Sequence, residues 1–395
     1  MTIDDDQDHP SAAEAILSNV PGSFPWGVLT QRHPDLIATV RRLVPYPPDI
    51  QTSLDQLLVT IAGAIPPLPA DAHDHAVWQE WAAPYLDRSW LDVPFLWAES
   101  YFYRLLLEAT AYFGSGPWAG IDPFAPQKNA ELDTPDLARD LADLDRLVTA
   151  PDQVGLATAL IASLWGNRAD LGFRMSDPSA QNKEQVDDLV ADDSAVLWRL
   201  LDAGAPNQVH LVADNAGREL TADLVLIDRL LATGRAATVT LHLKPHPYYV
   251  SDATTADLLQ VLRRLEAAAG AAASIADRLR AAISDGRLQV HTHAFWCSPL
   301  GFHGLPADLT TELAEATVVI IKGDLNYRRL VGDAHWAPTS SFESLTSYFP
   351  APLVALRTLK SDVAVGVDVD RLAHLEATAS GWRTDGTHAV IHVRP

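Results

Sequence analysis

Two aspartates and an asparagine, Asp214-Asn215 and Asp252, offer hard oxygen ligands. Three cations, Lys322, Arg328 and Lys360, offer fixed positive charge. All of them stand in short segments that follow strand-like apolar runs. An oxygen-only donor set suits Mg²⁺ or Mn²⁺ better than zinc, which favours His or Cys. Such a cation polarises a phosphoryl oxygen and lowers the pKa of a bound water. Ammonium and guanidinium groups offset the charge on a phosphate as it transfers. Among the 29 basic residues only five are lysines, and three of those (Lys244, Lys322, Lys360) stand at these positions. There a compact point charge suits a phosphate oxygen. The chemistry this points to is metal-assisted phosphate hydrolysis, with water as the nucleophile in preference to a carboxylate and Asp324 as the candidate for proton handling. Each segment also has a plainer explanation. Asp-Asn before a helix can simply cap it, Asp252 could cap the helix beginning near Thr254, and Lys322-Gly323 could be a strand-to-loop turn. Their joint placement at strand ends is what favours a shared site.

The elements that must position these residues are legible as a change of rhythm. Residues 1–10 read as a disordered tail and 11–200 as a helical N-terminal domain. Helical patterns cover Ser53–Ile61, the aromatic-rich Phe95–Phe113, Leu137–Leu147, Val154–Leu164 and Gln185–Leu201, whereas the Gly- and Pro-rich 114–134 reads as a loop. From 201 to 395 short apolar runs alternate with helical spacing. Val209–Ala213, Ala237–Leu243, Leu288–His293, Thr317–Ile321, Leu353–Leu356 and Ala389–Val393 are the expected strands. This alternation predicts an α/β fold, an α/β/α sandwich with a mostly parallel sheet. Ligands bind such sheets beyond the carboxyl ends of the strands, where Asp214, Lys244, Lys322 and Arg357–Lys360 all fall. Gly217 opens a helix there, adding free backbone N–H groups for an anion.

Composition limits the partners. The net charge of −22 repels nucleic acid and anionic membranes. A lone cysteine, Cys297, precludes an intrachain disulfide and fits a reducing compartment. The polar, acidic Met1–His9 reads as neither signal nor transit peptide, so the expected location is the cytoplasm. Other motifs lead nowhere. Gly114–Gly120 has the wrong spacing for a dinucleotide loop, Asp368-Val-Asp370 lacks the context of an Asp-x-Asp phosphatase, and Cys297 reads as a buried small residue. The pairs His73/His75 and His291/His293 read as surface and core histidines, and Glu99 and Arg104 as an ion pair with each other.

The segments DNAGRELTADLVLID (214–228), KPHPYYVSD (244–252), KGDLNYRRLVGD (322–333) and RTLKSD (357–362) resemble the damage-control phosphatase family, in its acidic-residue-methyltransferase-like branch. SLWGNRADL (163–171) and PFLWAESYFYR (94–104) extend the resemblance over roughly 80–365. It implies a metal-dependent phosphomonoester hydrolase of small phosphorylated metabolites such as sugar phosphates. In that reading Asp214, Asn215 and Asp252 hold the metal (Mn²⁺ foremost, with Co²⁺, Ni²⁺ or Mg²⁺ as alternatives). Asp324, Leu325, Asn326, Tyr327 and Arg328 line the substrate site, with Lys360 on the phosphate, to which the residues' own charge and placement add Lys322. Two departures stand out. Tyr248-Tyr249 occupies a place where Trp-Phe is more usual, and the N-terminal hundred residues show no clear match. Two other functions compete. One is an S-adenosylmethionine-dependent carboxyl methyltransferase, for which Glu219 could bind a ribose. The other is a non-catalytic metal-binding interaction protein.

Overall fold

The computed structural model describes residues 13–166, 188–202 and 206–395. The expected tail at 1–10 lies outside them. Seven strands form one sheet: β1 (Leu189–Asp192), β2 (Gln208–Val212), β3 (Thr238–Leu243), β4 (Leu288–Thr292), β5 (Val318–Lys322), β6 (Leu353–Thr358) and β7 (Ala389–Arg394). Their order is β1-β7-β6-β5-β2-β3-β4. Strands β2 to β6 are mutually parallel, β7 runs antiparallel to β6, and β1 is parallel to β7. The central strands are near-continuous Val, Ile and Leu because both faces are covered. Residues of odd number in β2 and β3 (Val209, Leu211, Val239, Leu241, Leu243) pack with the helices Pro135–Thr149, Asp152–Trp165, Gly217–Ala232, Thr255–Glu266 and Ala271–Ser284. The opposite face meets Trp296, Phe302, Leu309 and Leu313, and the helix Gly323–Val331 through Tyr327 and Leu330. The α/β/α sandwich is thereby present.

Chain order runs outward from β2 through β3 to β4, then returns to place β5 on β2's other side and β6 beyond it. The switch point of an α/β sheet therefore lies between β2 and β5, where a crevice opens at the strand ends. A third core, built from Pro48–Ile61, Phe95–Ala109 and neighbouring helices, closes over that crevice. It shares Tyr248, Cys297 and Leu325 with the sheet half.

Two stretches depart from the sequence reading. The expected loop at 114–134 contains a helix, Ala125–Leu132, with Pro126 in its first turn, a position proline favours. Within Gln185–Leu201, of which 185–187 lie outside the described residues, Leu189–Asp192 form strand β1 and the helix Ser194–Asp202 follows. The break falls at Asp192-Asp193-Ser194, where the Asp192 carboxylate accepts from the Ser194 N–H at 2.9 Å. The local spacing of Leu189, Val190 and Ala191 cannot register pairing with a strand two hundred residues away, and β1 exists only through β7.

Candidate active site

A cavity of about 590 Å³ lies over the switch point, between the strand ends and the N-terminal helices. One wall is made by the ends of β2 and β3, which backbone hydrogen bonds sew together. The Ala253 N–H donates to the Asp214 carbonyl at 2.8 Å, and the Ala216 N–H to the Ser251 carbonyl at 2.7 Å. Asn215 and Asp252 thus form an antiparallel bridge. Asp252 does not cap the following helix. Thr254 does, in a capping box with Asp257.

Asp214 and Asp252 are both buried. The Asn215 amide donates to Asp214 Oδ2 at 2.9 Å and to Glu219 Oε2 at 3.0 Å, and its Oδ1 accepts from Ser251 Oγ at 2.5 Å. Burial, Glu219 and Asp252 push the Asp214 carboxyl well above the usual carboxylate range, against the pull of Lys244 and Lys360. Burial also raises Asp252, and Lys244, 3.0 Å away, opposes it. Carboxylates crowded in low dielectric either take up protons or hold a cation. Two acids and an amide oxygen on one wall fit a hard divalent ion, and Asp214, Asn215 and Asp252 are the residues that could hold it.

The second wall begins where β5 ends. Gly323 adopts φ +84°, and its missing Cβ leaves room for the Asp214 carboxylate against its Cα. Asp324, Leu325, Arg328 and Lys360 line the cavity. Lys360 is exposed at its mouth. Arg328 is held by Asp333 (2.7 Å) and Glu99 (3.1 Å) and lies 4.7 Å over the Phe95 ring. Glu99 therefore pairs with Arg328, and Arg104 with Asp74 and Glu108, in place of the expected Glu99–Arg104 pair. Asp324 accepts from the Arg357 guanidinium at 2.7 Å and from Ser361 Oγ at 3.0 Å. Burial alone would raise its pKa, but Arg357 and Arg328 hold it below the ordinary value, so it stays a carboxylate.

Lys322, Asn326 and Tyr327 stand behind this wall. The Lys322 ammonium is fully buried against Asp223 (3.0 Å), Glu219 (3.3 Å) and the Ser163 carbonyl. Burial would lower its pKa, but Asp223 and Glu219 raise it above the usual lysine value, so the charge persists. This placement differs from the expected contact with a phosphate. Asn326 donates to the carbonyls of Ala213 (3.3 Å) and Lys322 (2.9 Å), tying β5 to the Asp214 loop. Tyr327 lies under Arg357, 4.4 Å from guanidinium to ring, with its hydroxyl 3.2 Å from His392 Nδ1. Both place neighbours of the cavity without lining it. Lys244 likewise serves Asp252 and does not line the cavity.

The helix Ala125–Leu132 supplies cavity residues that the sequence reading passed over. Lys128 bridges Asp122 and Asp257, each at 2.9 Å, and Glu131 stands beside Gly217, whose φ is +65°. Burial and Glu219 raise Glu131 above the ordinary glutamate range. The scarcity of lysine could have flagged Lys128. Arg32 and His33, from the first helical segments, complete the rim. Cys297 is buried, its thiol pushed up to about 12 mainly by burial, and has no nucleophilic character. Asp368 caps the helix Val369–Thr378.

The family model described as "Damage-control phosphatase ARMT1-like domain" matches residues 28–375, so the match takes in most of the N-terminal hundred residues. The chain is similar to "Damage-control phosphatase ARMT1" of Danio rerio, 31% identical over 82% of this chain and 80% of that one. The Xenopus laevis protein of the same name is 33% identical over 77% and 76%, and the human one 30% over 76% and 74%. Among solved structures, a DUF89 family protein from Pyrococcus horikoshii superposes with a TM-score of 0.50 at 17% identity, covering 93% of this chain and 97% of that one, a likeness of fold. With the model spanning the sheet, the crevice and the helical cover together, the chain belongs to the ARMT1-like damage-control phosphatase family.

Proposed function

We propose that the protein is a divalent-metal-dependent phosphatase acting on small phosphorylated metabolites, sugar phosphates among them. One observation supports this reading: the Asn215–Asp252 bridge brings Asp214, Asn215 and Asp252, residues with oxygen donors, to one wall of a cavity that Lys360 and Arg328 also line. A cation held by Asp214, Asn215 and Asp252, Mn²⁺ above all, would polarise a phosphoryl oxygen and offset charge as it develops. Lys360 reaches the phosphate from the open side as a point charge. Asp324 and Leu325, in the first turn of the helix Gly323–Val331, line the same space, and a helix start there favours an anion. Arg328, braced by Asp333, orients the phosphate. Asp324 fixes Arg357 and the Lys360 backbone and is too firmly ionised to donate a proton. Glu131, with its raised pKa, is the better proton donor to a leaving alkoxide.

The methyltransferase alternative loses its one support, because the Glu219 carboxylate is engaged by Asn215 and Lys322. The test uses metal-stripped protein, Mn²⁺ and a panel of sugar phosphates, with labelled S-adenosylmethionine in a parallel arm. Metal-dependent phosphate release that Asp214→Asn and Asp252→Asn each abolish is the expected result. Near-normal turnover in either variant, or methyl transfer without phosphate release, would overturn the proposal.

A further inference from the structure

The sheet face opposite the helices Gly217–Ala232 and Thr255–Glu266 carries a row of imidazoles. His210 on β2, His242 on β3 and His291 on β4 share that face, because His242 pairs with His291 and lies beside Val212 in register. Glu312, from the helix Ala307–Ala314, reaches the same row. His210 Nδ1 stands 2.9 Å from His242 Nε2, and His242 Nε2 stands 3.8 Å from Glu312 Oε1. The three donor atoms all lie within 4.8 Å of one another.

We infer that His210, His242 and Glu312 form a second metal site, separate from the oxygen site at the strand ends, for a borderline cation of the zinc class. Two imidazoles and a carboxylate are a zinc donor set, whereas Asp214, Asn215 and Asp252 are not. At metal–ligand bonds of about 2.0–2.1 Å, tetrahedral ligands stand about 3.3 Å apart, and the observed 2.9 and 3.8 Å bracket that separation. Small side-chain shifts suffice.

A purely structural hydrogen-bond chain accounts for the row less well. His242 is 1% exposed. Its Nε2 faces both His210 Nδ1 and Glu312 Oε1, and one imidazole nitrogen can bond only one of them, whereas an ion engages all three atoms. Burial, followed by the neighbouring histidines, depresses the pKa of His242, and burial lowers that of His210. Both are therefore neutral imidazoles, the form that binds metal. His291 Nδ1 lies 2.7 Å from Glu312 Oε1, the outer hydrogen bond that orients a ligating carboxylate. Glu312 and His291 are 34% and 43% exposed, so an ion has a path from solvent, and the fourth coordination position is left for water. Bound there, the ion would fasten β2 and β3 to the helix Ala307–Ala314.

The test is cobalt and zinc titration of the full-length, metal-stripped protein beside Asp214→Asn/Asp252→Asn and Glu312→Gln. Four-coordinate Co²⁺ with nitrogen ligands absorbs strongly in the visible, and six-coordinate Co²⁺ on oxygen absorbs weakly. One equivalent of strongly absorbing Co²⁺, displaced by Zn²⁺ and retained in Asp214→Asn/Asp252→Asn, is the expected result. Glu312→Gln should lower Zn²⁺ affinity at least tenfold and abolish the rise in melting temperature that Zn²⁺ gives, with Mn²⁺-dependent phosphate release unchanged. His291→Gln, at the surface, should weaken Zn²⁺ about tenfold. Weak absorption only, or Zn²⁺ affinity unaltered in Glu312→Gln, would overturn the inference. A Glu312→Gln protein that failed to fold would leave His291→Gln to decide it.

Discussion

The Asp214 carboxylate lies where the Cβ of residue 323 would be, and glycine at 323, with φ +84°, is what lets β2 and β5 present both walls of the cavity. Gly323→Ala adds a methyl group that overlaps the carboxylate and places a non-glycine residue in the left-handed region, at a cost of about 1–3 kcal/mol. The added Cβ would stand 1.9 Å from Asp214 Oδ2, so the carboxylate must move by about an ångström or more. Misplacement on that scale costs on the order of 100-fold in rate. Steady-state kinetics with Mn²⁺, beside a denaturation curve, should show a drop in kcat/KM far larger than the stability loss explains.

Lys322 and Lys360 look equivalent in the sequence and differ in depth. Lys322 neutralises Asp223 and Glu219 in the interior. Lys322→Met leaves those acids buried without a cation, with only Asn215 on Glu219 and Ser163 on Asp223, and should cost about 3–5 kcal/mol. Lys360→Ala should alter stability by no more than about 0.5 kcal/mol while raising KM for a phosphorylated substrate. Urea unfolding and initial rates on the two variants separate the roles. The reverse pattern would return Lys322 to the phosphate.

Strand ends were legible because parallel strands covered on both faces must be continuous apolar runs, and Asp214, Gly323 and Lys360 follow such runs directly. That same continuity hid the direction of Lys322. When both faces of β5 are buried, alternation carries no sign of which way a side chain points. A clue lay elsewhere: Glu219 and Asp223 are four apart on the apolar helix Gly217–Ala232, and two buried acids at that spacing call for a buried cation. The helix carrying Lys128 and Glu131 was masked by flanking Gly and Pro. The histidine row needs strand register, which no single segment contains. His210, His242 and His291 are 32 and 49 residues apart and meet only across β2, β3 and β4.

Glu99 should make the binding of a phosphorylated substrate pH-dependent. Burial lifts its pKa to about 7, with Arg328 the main opposing influence. Below that value Glu99 is neutral and Arg328 has more charge to offer a phosphate. Above it the carboxylate competes for the guanidinium at 3.1 Å. KM should therefore rise as pH increases through about 7 in the wild type. Glu99→Gln should remove that rise while keeping the low-pH KM. A KM profile identical in both proteins would show that Arg328 is not in contact with the phosphate.

His33 should set part of the acid limit of folding. Its ring stacks on Phe102 at 3.7 Å, and burial, reinforced by Arg32, depresses its pKa to about 3. In the unfolded chain the group titrates near 6.5. Between those values the unfolded state binds a proton that the folded state refuses, so stability rises with pH across the window. The contribution is complete above 6.5 and is lost as pH falls toward 3, at up to about 1.4 kcal/mol per pH unit. His392, also lowered to about 3, adds in the same direction. Glu99 acts oppositely between 4.5 and about 7, because there the folded state holds the extra proton. Comparing wild type with His33→Phe cancels both of those contributions. The variant keeps the stack on Phe102, and its urea-derived stability should fall less steeply than the wild type's from pH 6.5 to 4. Parallel curves would mean that His33 takes up its proton in the folded state, and that its burial against Phe102 is not maintained in solution.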